Sequence, residues 1–235
     1  MVDAAIAHIS WQKTHRLVMS QFPPIDLFDD IADPRDWETL ASAQSRTNPR
    51  IYEEIGDLSL VPVDRRLAGD GASWVMAAFT HISPDRASRF SDGTFGVYYA
   101  GDCLETALRE HTFHVERFYR DAVMEPGWIS KVRQLVGTVD TDLVDLRDPG
   151  NEHLLNPDIA TYPISQTFAK EQKLLERDGL IYPSLRHDGG QCIAIFFPDA
   201  VTPPVQAEHF RYHWNGTRVD FVQALSGDRE ILELV

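Results

Sequence analysis

The chain has 235 residues, with 36 acidic side chains against 22 basic ones and a formal net charge of −14 at pH 7. This surplus of negative charge argues against nucleic acid or an anionic membrane as the main partner and fits a basic partner better. We see no apolar run of membrane-spanning length, no signal-peptide pattern and no CxxC pair among the two cysteines, so we expect a reduced, cytoplasmic globular protein with no membrane contact.

In chain order, residues 1–71 are predicted to form a helical extension. Asp33-Pro34 and Asn48-Pro49 each combine an N-cap residue with a proline suited to the first helical turn. Such an extension could pack on the core, cover a site or dock a partner, and the sequence does not choose between these roles.

Residues 72–235 are predicted to form a larger domain of the α+β class. Short apolar runs alternate there with turn signals and helical patterns, which indicates a mixed, twisted β-sheet with helices packed around it. One predicted helix follows Asp102, and a second spans residues 164–177. The predicted strands are residues 74–79, 95–99, 131–139, 143–146, 180–184, 191–197, 205–214 and 218–225.

The stretch from Arg89 to Glu110 is the chemical centre of the sequence. It combines a turn, a strand and a helix start, for which Asp102 and Glu105 have the spacing of a capping box. At about 100° per residue, Glu110 lies roughly 60° from Ala107, at the edge of the apolar stripe of that helix. A carboxylate at such an edge is usually an ordinary solvated residue, but it can also point into a cleft.

Four motifs in this half of the chain occur in a fixed order. They read Arg89-Phe90-Ser91, Tyr99-Ala100-Gly101, Ala107-Leu108-Arg109-Glu110 and Gly179-Leu180-Ile181-Tyr182-Pro183-Ser184. Their order and composition resemble the RES-domain family, NAD-consuming toxins of bacterial toxin–antitoxin pairs, over roughly residues 74–199.

The chain departs from the family pattern in three places. Ala87 and Ser88 stand where glycines usually precede the arginine. The family's first-strand arginine has no counterpart near residues 77–79, where we expect that strand. Tyr98 and Tyr99 are adjacent, so the choice of Tyr99 depends on its distance from the helix motif.

The resemblance implies a role for each motif in breaking the nicotinamide–ribose bond of NAD. Glu110 would be the catalytic carboxylate, Arg89 would hold phosphate, Tyr99 would stack or donate from its hydroxyl, and Ser184 would be a positioning donor. Arg186, as an NAD-binding residue, and His187 are weaker candidates for the same pocket. No metal is expected.

The resemblance also implies a core like that of ADP-ribosyltransferases and a cognate Xre-type antitoxin, which would supply the DNA contact that this acidic chain lacks. The acceptor of ADP-ribose stays open between phosphate, water and a protein side chain. The oligomeric state, including a homo-oligomer, also stays open.

Two other functions compete with NAD cleavage. The chain could be a binding module held by its antitoxin, with little catalysis. It could also be a metal hydrolase, because His111 and His114 lie three residues apart on the helix that carries Glu110. A HExxH order and a third ligand at metal-site spacing are both missing from the sequence, which weakens the metal hypothesis.

Overall fold

A computed structural model describes residues 4–19, 33–46, 51–226 and 230–233 of the chain. The described part is an α+β fold, as predicted, in which helices surround a mixed sheet. The helices are α1 Trp37–Gln44, α2 Ile51–Ile55, α3 Ala72–Thr80, α4 Leu104–Asp121 and α5 Tyr162–Leu174. The strands are β1 Ile6–Met19, β2 Tyr98–Gly101, β3 Gly127–Asp145, β4 Gly179–Pro183, β5 Gln191–Ile195, β6 Val205–Trp214, β7 Val219–Ala224 and β8 Glu230–Glu233.

The sheet is organised around the long strand β3. Its eight described strands follow the order β1-β2-β5-β4-β3-β6-β7-β8, and an additional pairing of β1 with β3 closes the first five strands into a ring. β3 and β4 run parallel, whereas the other neighbouring strands are antiparallel. The ring brings β1, β2, β4 and β5, which are distant in sequence, next to one another.

Helix α4 packs on this sheet through the apolar stripe that its sequence predicts. Ala107, Leu108 and Val115 are buried against residues of β1, β3, β6 and β7. Phe118, three residues after Val115, is 66% exposed and lies outside this buried face. The buried face fixes the orientation of α4, and with it the direction of Glu110.

The prediction of a helical extension is wrong for residues 6–19. These residues form β1, which pairs with β3 from Ile6 opposite Val144 to Met19 opposite Val132. The partner strand lies more than a hundred residues away, and a pattern of local helix signals does not reveal it. Of the two predicted helix starts, Asp33-Pro34 is followed shortly by α1. Asn48-Pro49 lies outside the described residues. The domain boundary at residue 71 stays a prediction.

Residues 74–79, predicted as a strand, belong to helix α3. Val75, Met76 and Phe79 are buried at helical spacing, and Gly71 begins the helix with a φ of 84°. A short apolar run is compatible with a buried strand or a buried helix, and its length alone does not separate them.

Three smaller predictions also need correction. The strands predicted at 131–139 and 143–146 belong to one strand, β3, which ends at Asp145. The strand predicted at 95–99 is displaced, since β2 begins at Tyr98 and ends at Gly101. Asp102 does not cap α4; the N-cap is Cys103, while the Asp102 carboxylate accepts a hydrogen bond from Thr106 Oγ1 at 2.7 Å. The predicted strand 205–214 is observed with the same bounds as β6.

Candidate functional site

A cavity of about 120 Å³ lies where α4, β1, β2 and the loop after β4 meet. Its walls combine cationic, aromatic and apolar side chains with one carboxylate, that of Glu110. The lining residues from β1 and β2 and the turn before β2 are His15, Arg16, Leu17, Ser88, Arg89, Tyr99, Ala100 and Gly101. Those from the rest of the chain are Ala107, Glu110, His111, Phe113, His114, Tyr162, Tyr182, Leu185, Arg186 and Cys192.

One oxygen of the Glu110 carboxylate is held by the loop that follows β4. Ser184 Oγ donates to Glu110 Oε1 at 2.6 Å, and the Leu185 backbone N–H donates to the same oxygen at 3.2 Å. Cys192 Sγ lies 4.0 Å from this oxygen, and burial raises the pKa of the Cys192 thiol well above its ordinary value, so the thiol stays protonated. Glu110 is therefore held in one orientation, and its second oxygen has no hydrogen-bond partner among the described residues.

Ser184 is itself held firmly by the loop. Its hydroxyl accepts hydrogen bonds from the backbone N–H groups of Arg186 at 3.2 Å and His187 at 3.0 Å, and its own N–H donates to the Gly190 carbonyl. Because these two donors occupy its lone pairs, its proton is directed to Glu110. Ser184 does not line the cavity, and in this structure it contacts the carboxylate rather than open space.

Arg89 reaches the cavity from the turn before β2. Its Nη1 donates to the Asn156 carbonyl at 2.7 Å, and its guanidinium lies 4.6 Å from the centre of the Tyr162 ring. These contacts hold the cation at the cavity wall without a carboxylate partner among the described residues. Its positive charge is thus not neutralised by an ion pair there.

The structure places Tyr99, and not Tyr98, at the cavity. The Tyr99 hydroxyl lies 2.8 Å from Ser88 Oγ and accepts from the Phe90 N–H at 3.2 Å, while burial raises the pKa of Tyr99 to about 12. Tyr98, the next residue on the strand, is buried in the core cluster on the opposite face. The alternation of side chains along a strand separates these two tyrosines.

Arg16 on β1 is a cavity residue that sequence reasoning missed. Its Nη1 donates to the Tyr99 carbonyl at 3.1 Å, and its guanidinium lies 4.5 Å from the centre of the Tyr98 ring. Its Nε is buried without a hydrogen-bond partner, and desolvation lowers the pKa of Arg16. Arg16 lies in the segment that we predicted as helical. Had residues 6–19 been predicted as a strand, this arginine could have been placed beside Tyr99.

Arg186 lines the cavity and His187 does not. The Arg186 guanidinium lies 3.6 Å from the centre of the Phe113 ring, which is also part of the lining. His187 Nδ1 lies 2.9 Å from Thr106 Oγ1, and its Nε2 lies 3.6 Å from Glu105 Oε1. His187 thus links the loop after β4 to the start of α4.

His111 and His114 both line the cavity, but they do not form a metal centre with their neighbours. His111 Nδ1 lies 3.0 Å from the Tyr212 hydroxyl, and burial lowers the pKa of His111 to about 3. Within the described residues, we find no group of three or more His, Cys, Asp or Glu side chains that could hold a metal ion. The metal-hydrolase hypothesis therefore gains no support from the geometry.

None of the helices in the described part of the chain has the length and apolar character needed to cross a lipid bilayer. The cavity lining combines three arginines that form no ion pair among the described residues, a clamped glutamate and several aromatic rings.

The uncharacterized protein y4oC of Sinorhizobium fredii is 28% identical over 215 residues, which cover 89% of this chain and 86% of that protein. The crystal structure of the M. tuberculosis MbcT–MbcA toxin–antitoxin complex is a distant structural match with a TM-score of 0.42 and 11% identity; it covers 90% of this chain and 87% of the matched chain.

A family model described as the RES domain matches residues 63–215. The match spans α3 to β6 and includes Arg89, Tyr99, Glu110 and Ser184. On this evidence, the chain belongs to the RES-domain family.

Proposed function

We propose that this chain cleaves the nicotinamide–ribose bond of NAD and transfers ADP-ribose to an acceptor. The observation that carries the proposal is the Glu110 carboxylate, which Ser184 and Leu185 hold through one oxygen. It lines a cavity together with three arginines that form no ion pair among the described residues. Membership of the RES-domain family supports the same assignment.

The reaction needs charge stabilisation more than it needs a proton transfer. As the C1′–N1 bond breaks, its electron pair leaves with nicotinamide, which becomes neutral, and the ribose gains oxocarbenium character. The free oxygen of Glu110 would stabilise this positive charge, and its fixed orientation removes the cost of reorganising it during the reaction. The acceptor then bonds to C1′.

The arginines supply the complementary charge for the rest of the substrate. NAD carries a pyrophosphate, and guanidinium groups bind phosphate oxygens through paired N–H donors. Arg16 and Arg89 lie at the cavity wall, and Arg186 lies over Phe113 beside them. A cavity of about 120 Å³ has room for the nicotinamide ring alone, so the pyrophosphate and adenosine would lie toward its opening.

The biological setting is also part of the proposal. An NAD-consuming enzyme of this kind would act as a toxin in the cytoplasm and would need a neutralising partner, for which an Xre-type antitoxin is the candidate. The acceptor would be phosphate, water or a side chain of a target protein.

Nicotinamide release from NAD by the purified chain tests the proposal, with and without phosphate. We expect release by the wild type and a loss of about 100-fold or more in Glu110→Gln, because glutamine keeps the Ser184 contact and removes the charge. Release that requires phosphate would identify a phosphorylase. Release without phosphate would identify water or a protein side chain as the acceptor.

Asp121→Asn is the matched control, since it also removes one carboxylate from α4 but at an exposed position outside the cavity. It is expected to release nicotinamide at the wild-type rate. If Glu110→Gln were as active as this control, Glu110 would have no catalytic role. If the wild type released nothing under either condition, even with cell lysate added, the proposed activity would be wrong.

A further inference from the structure

His111 lines the cavity and has no role in the proposed reaction as described above. It directly follows Glu110 on α4, and it meets Tyr212 of β6 in an edge-on contact with ring centres 5.6 Å apart. Its Nδ1 lies 3.0 Å from the Tyr212 hydroxyl. One nitrogen of the ring is thus occupied by Tyr212, whereas Nε2 has no hydrogen-bond partner among the described residues, and His111 lines the cavity.

The surroundings of Tyr212 determine which nitrogen carries the proton. Tyr212 is fully buried, and His111 is the hydrogen-bond partner that its hydroxyl has within the described residues. A buried hydroxyl whose proton had no acceptor would lose a hydrogen bond at full desolvation cost, so the Tyr212 O–H donates to His111 Nδ1. His111 is then the tautomer with its proton on Nε2, and Nε2–H is a donor.

Burial keeps the ring neutral by lowering the pKa of His111, and the nearby His114 on α4 and Arg16 on β1 act in the same direction. No carboxylate forms a hydrogen bond with His111 in the described part of the chain. His111 therefore offers the cavity one neutral donor, and Nε2 has no partner among the described residues.

We propose that His111 Nε2–H donates to the carboxamide oxygen of the nicotinamide ring and so selects the leaving group. This inference rests on the proposed function. The cavity has the size of one substituted ring, and the carboxamide oxygen is the neutral acceptor that nicotinamide brings into it. Tyr212 acts through His111 as a positioning residue, because it fixes the tautomer.

The first test examines the ring directly, without turnover. In ¹⁵N NMR spectra of the full chain, we expect His111 to be a neutral imidazole with its proton on Nε2, and Tyr212→Phe to produce a mixture of both tautomers. A wild-type His111 with its proton on Nδ1, or a charged ring at neutral pH, would overturn the proposal.

The second test compares substrates. His111→Phe keeps a flat ring but lacks the donor, so we expect kcat/KM for NAD to fall about tenfold. For a dinucleotide in which an unsubstituted pyridinium ring replaces nicotinamide, the same variant should change kcat/KM little, since the carbonyl is missing. His111→Gln retains an N–H donor and is expected to recover most of the activity with NAD. Equal losses on both substrates would mean that His111 only packs, and would overturn the proposal.

Binding of free nicotinamide separates this inference from the proposed reaction. We expect nicotinamide to shift the His111 Nε2 signal in the wild type and to bind about tenfold more weakly to His111→Phe. That result supports the donor role even if the wild type cleaves no NAD, in which case only the proposed function fails. Equal nicotinamide affinity in wild type and His111→Phe overturns the donor role even if NAD is cleaved.

Discussion

The two ends of strand β1 lie in opposite environments although they belong to one strand and pair with the same partner, β3. At the solvent end, His8 lies 2.8 Å from Asp142 and 3.1 Å from Asp140, with all three side chains exposed. At the cavity end, Arg16 is desolvated, its Nε has no partner, and its Nη1 donates to a backbone carbonyl.

Two histidines, His8 on β1 and His111 on α4 beside the cavity end of β1, show how burial changes the chemistry of one residue type. At the solvent end, the hydrogen bond to Asp142 and the charge of Asp140 raise the pKa of His8. Beside Arg16, burial lowers the pKa of His111 to about 3. Water screens the charges at the solvent end, so its ion pairs contribute little, whereas the charges at the cavity end are screened less and act more strongly on a bound group.

Removing Arg16 is expected to have the largest effect at either end of the strand. Arg16→Ala should lower kcat/KM for nicotinamide release about 100-fold, because it removes a desolvated cation from the cavity wall. Arg16→Lys should remain strongly impaired, since lysine keeps the charge but not the planar fork. Steady-state kinetics on both variants, with thermal unfolding to confirm that they fold, measures the effect.

Lys13→Ala is the control for Arg16, because Lys13 is an exposed cation three residues earlier on the same strand. It should have wild-type kinetics. Full activity of Arg16→Lys would contradict the view that the geometry of the guanidinium matters, and full activity of Arg16→Ala would remove Arg16 from the site.

The next largest effect is expected for His111→Gln, which should change the pH dependence of the free energy of unfolding. Its folded pKa, about 3, is lower than the ordinary value of 6.5, so the unfolded chain takes up a proton below pH 6.5 that the folded chain does not. Stability should therefore fall as pH decreases from 6.5 toward 3. His111→Gln should reduce this loss by about 1–3 kcal/mol between pH 6.5 and 4.

Urea unfolding of both proteins across this pH range measures the slope. Carboxylates distant from residue 111 contribute nearly equally to the two curves, so the difference between the curves comes mainly from the cavity around His111. Parallel curves would show that His111 is solvated and would break the contrast between the two ends of β1.

The smallest effect is expected at His8, and its sign is opposite. Because the folded pKa of His8 is raised above 6.5, its contribution to stability is present below pH 6.5 and is lost as pH rises through the folded pKa. His8→Ala should slightly destabilise the chain at pH 5.5, less so in high salt, and leave stability at pH 8.5 and nicotinamide release unchanged. A clear loss of activity in this variant would mean that the two ends of β1 are coupled.

The sequence by itself determined the local features of this protein. The α+β class, the presence of a helix after Asp102 and the bounds of β6 follow from periodicity and turn residues that act over a few positions. The RES-type motifs also placed Arg89, Tyr99 and Glu110, all of which line one cavity. Local patterns succeed here because neighbouring residues dictate them.

Only the tertiary structure decided what lies opposite these motifs. Arg16 enters the cavity because β1 pairs with β3 across more than a hundred residues. Residues 74–79, which were predicted as a strand, form part of helix α3. Ser184 contacts the carboxylate of Glu110, and Tyr212 fixes the tautomer of His111, through contacts between elements that are far apart in the chain. Such long-range contacts depend on strand pairing and burial, which no short window of sequence contains.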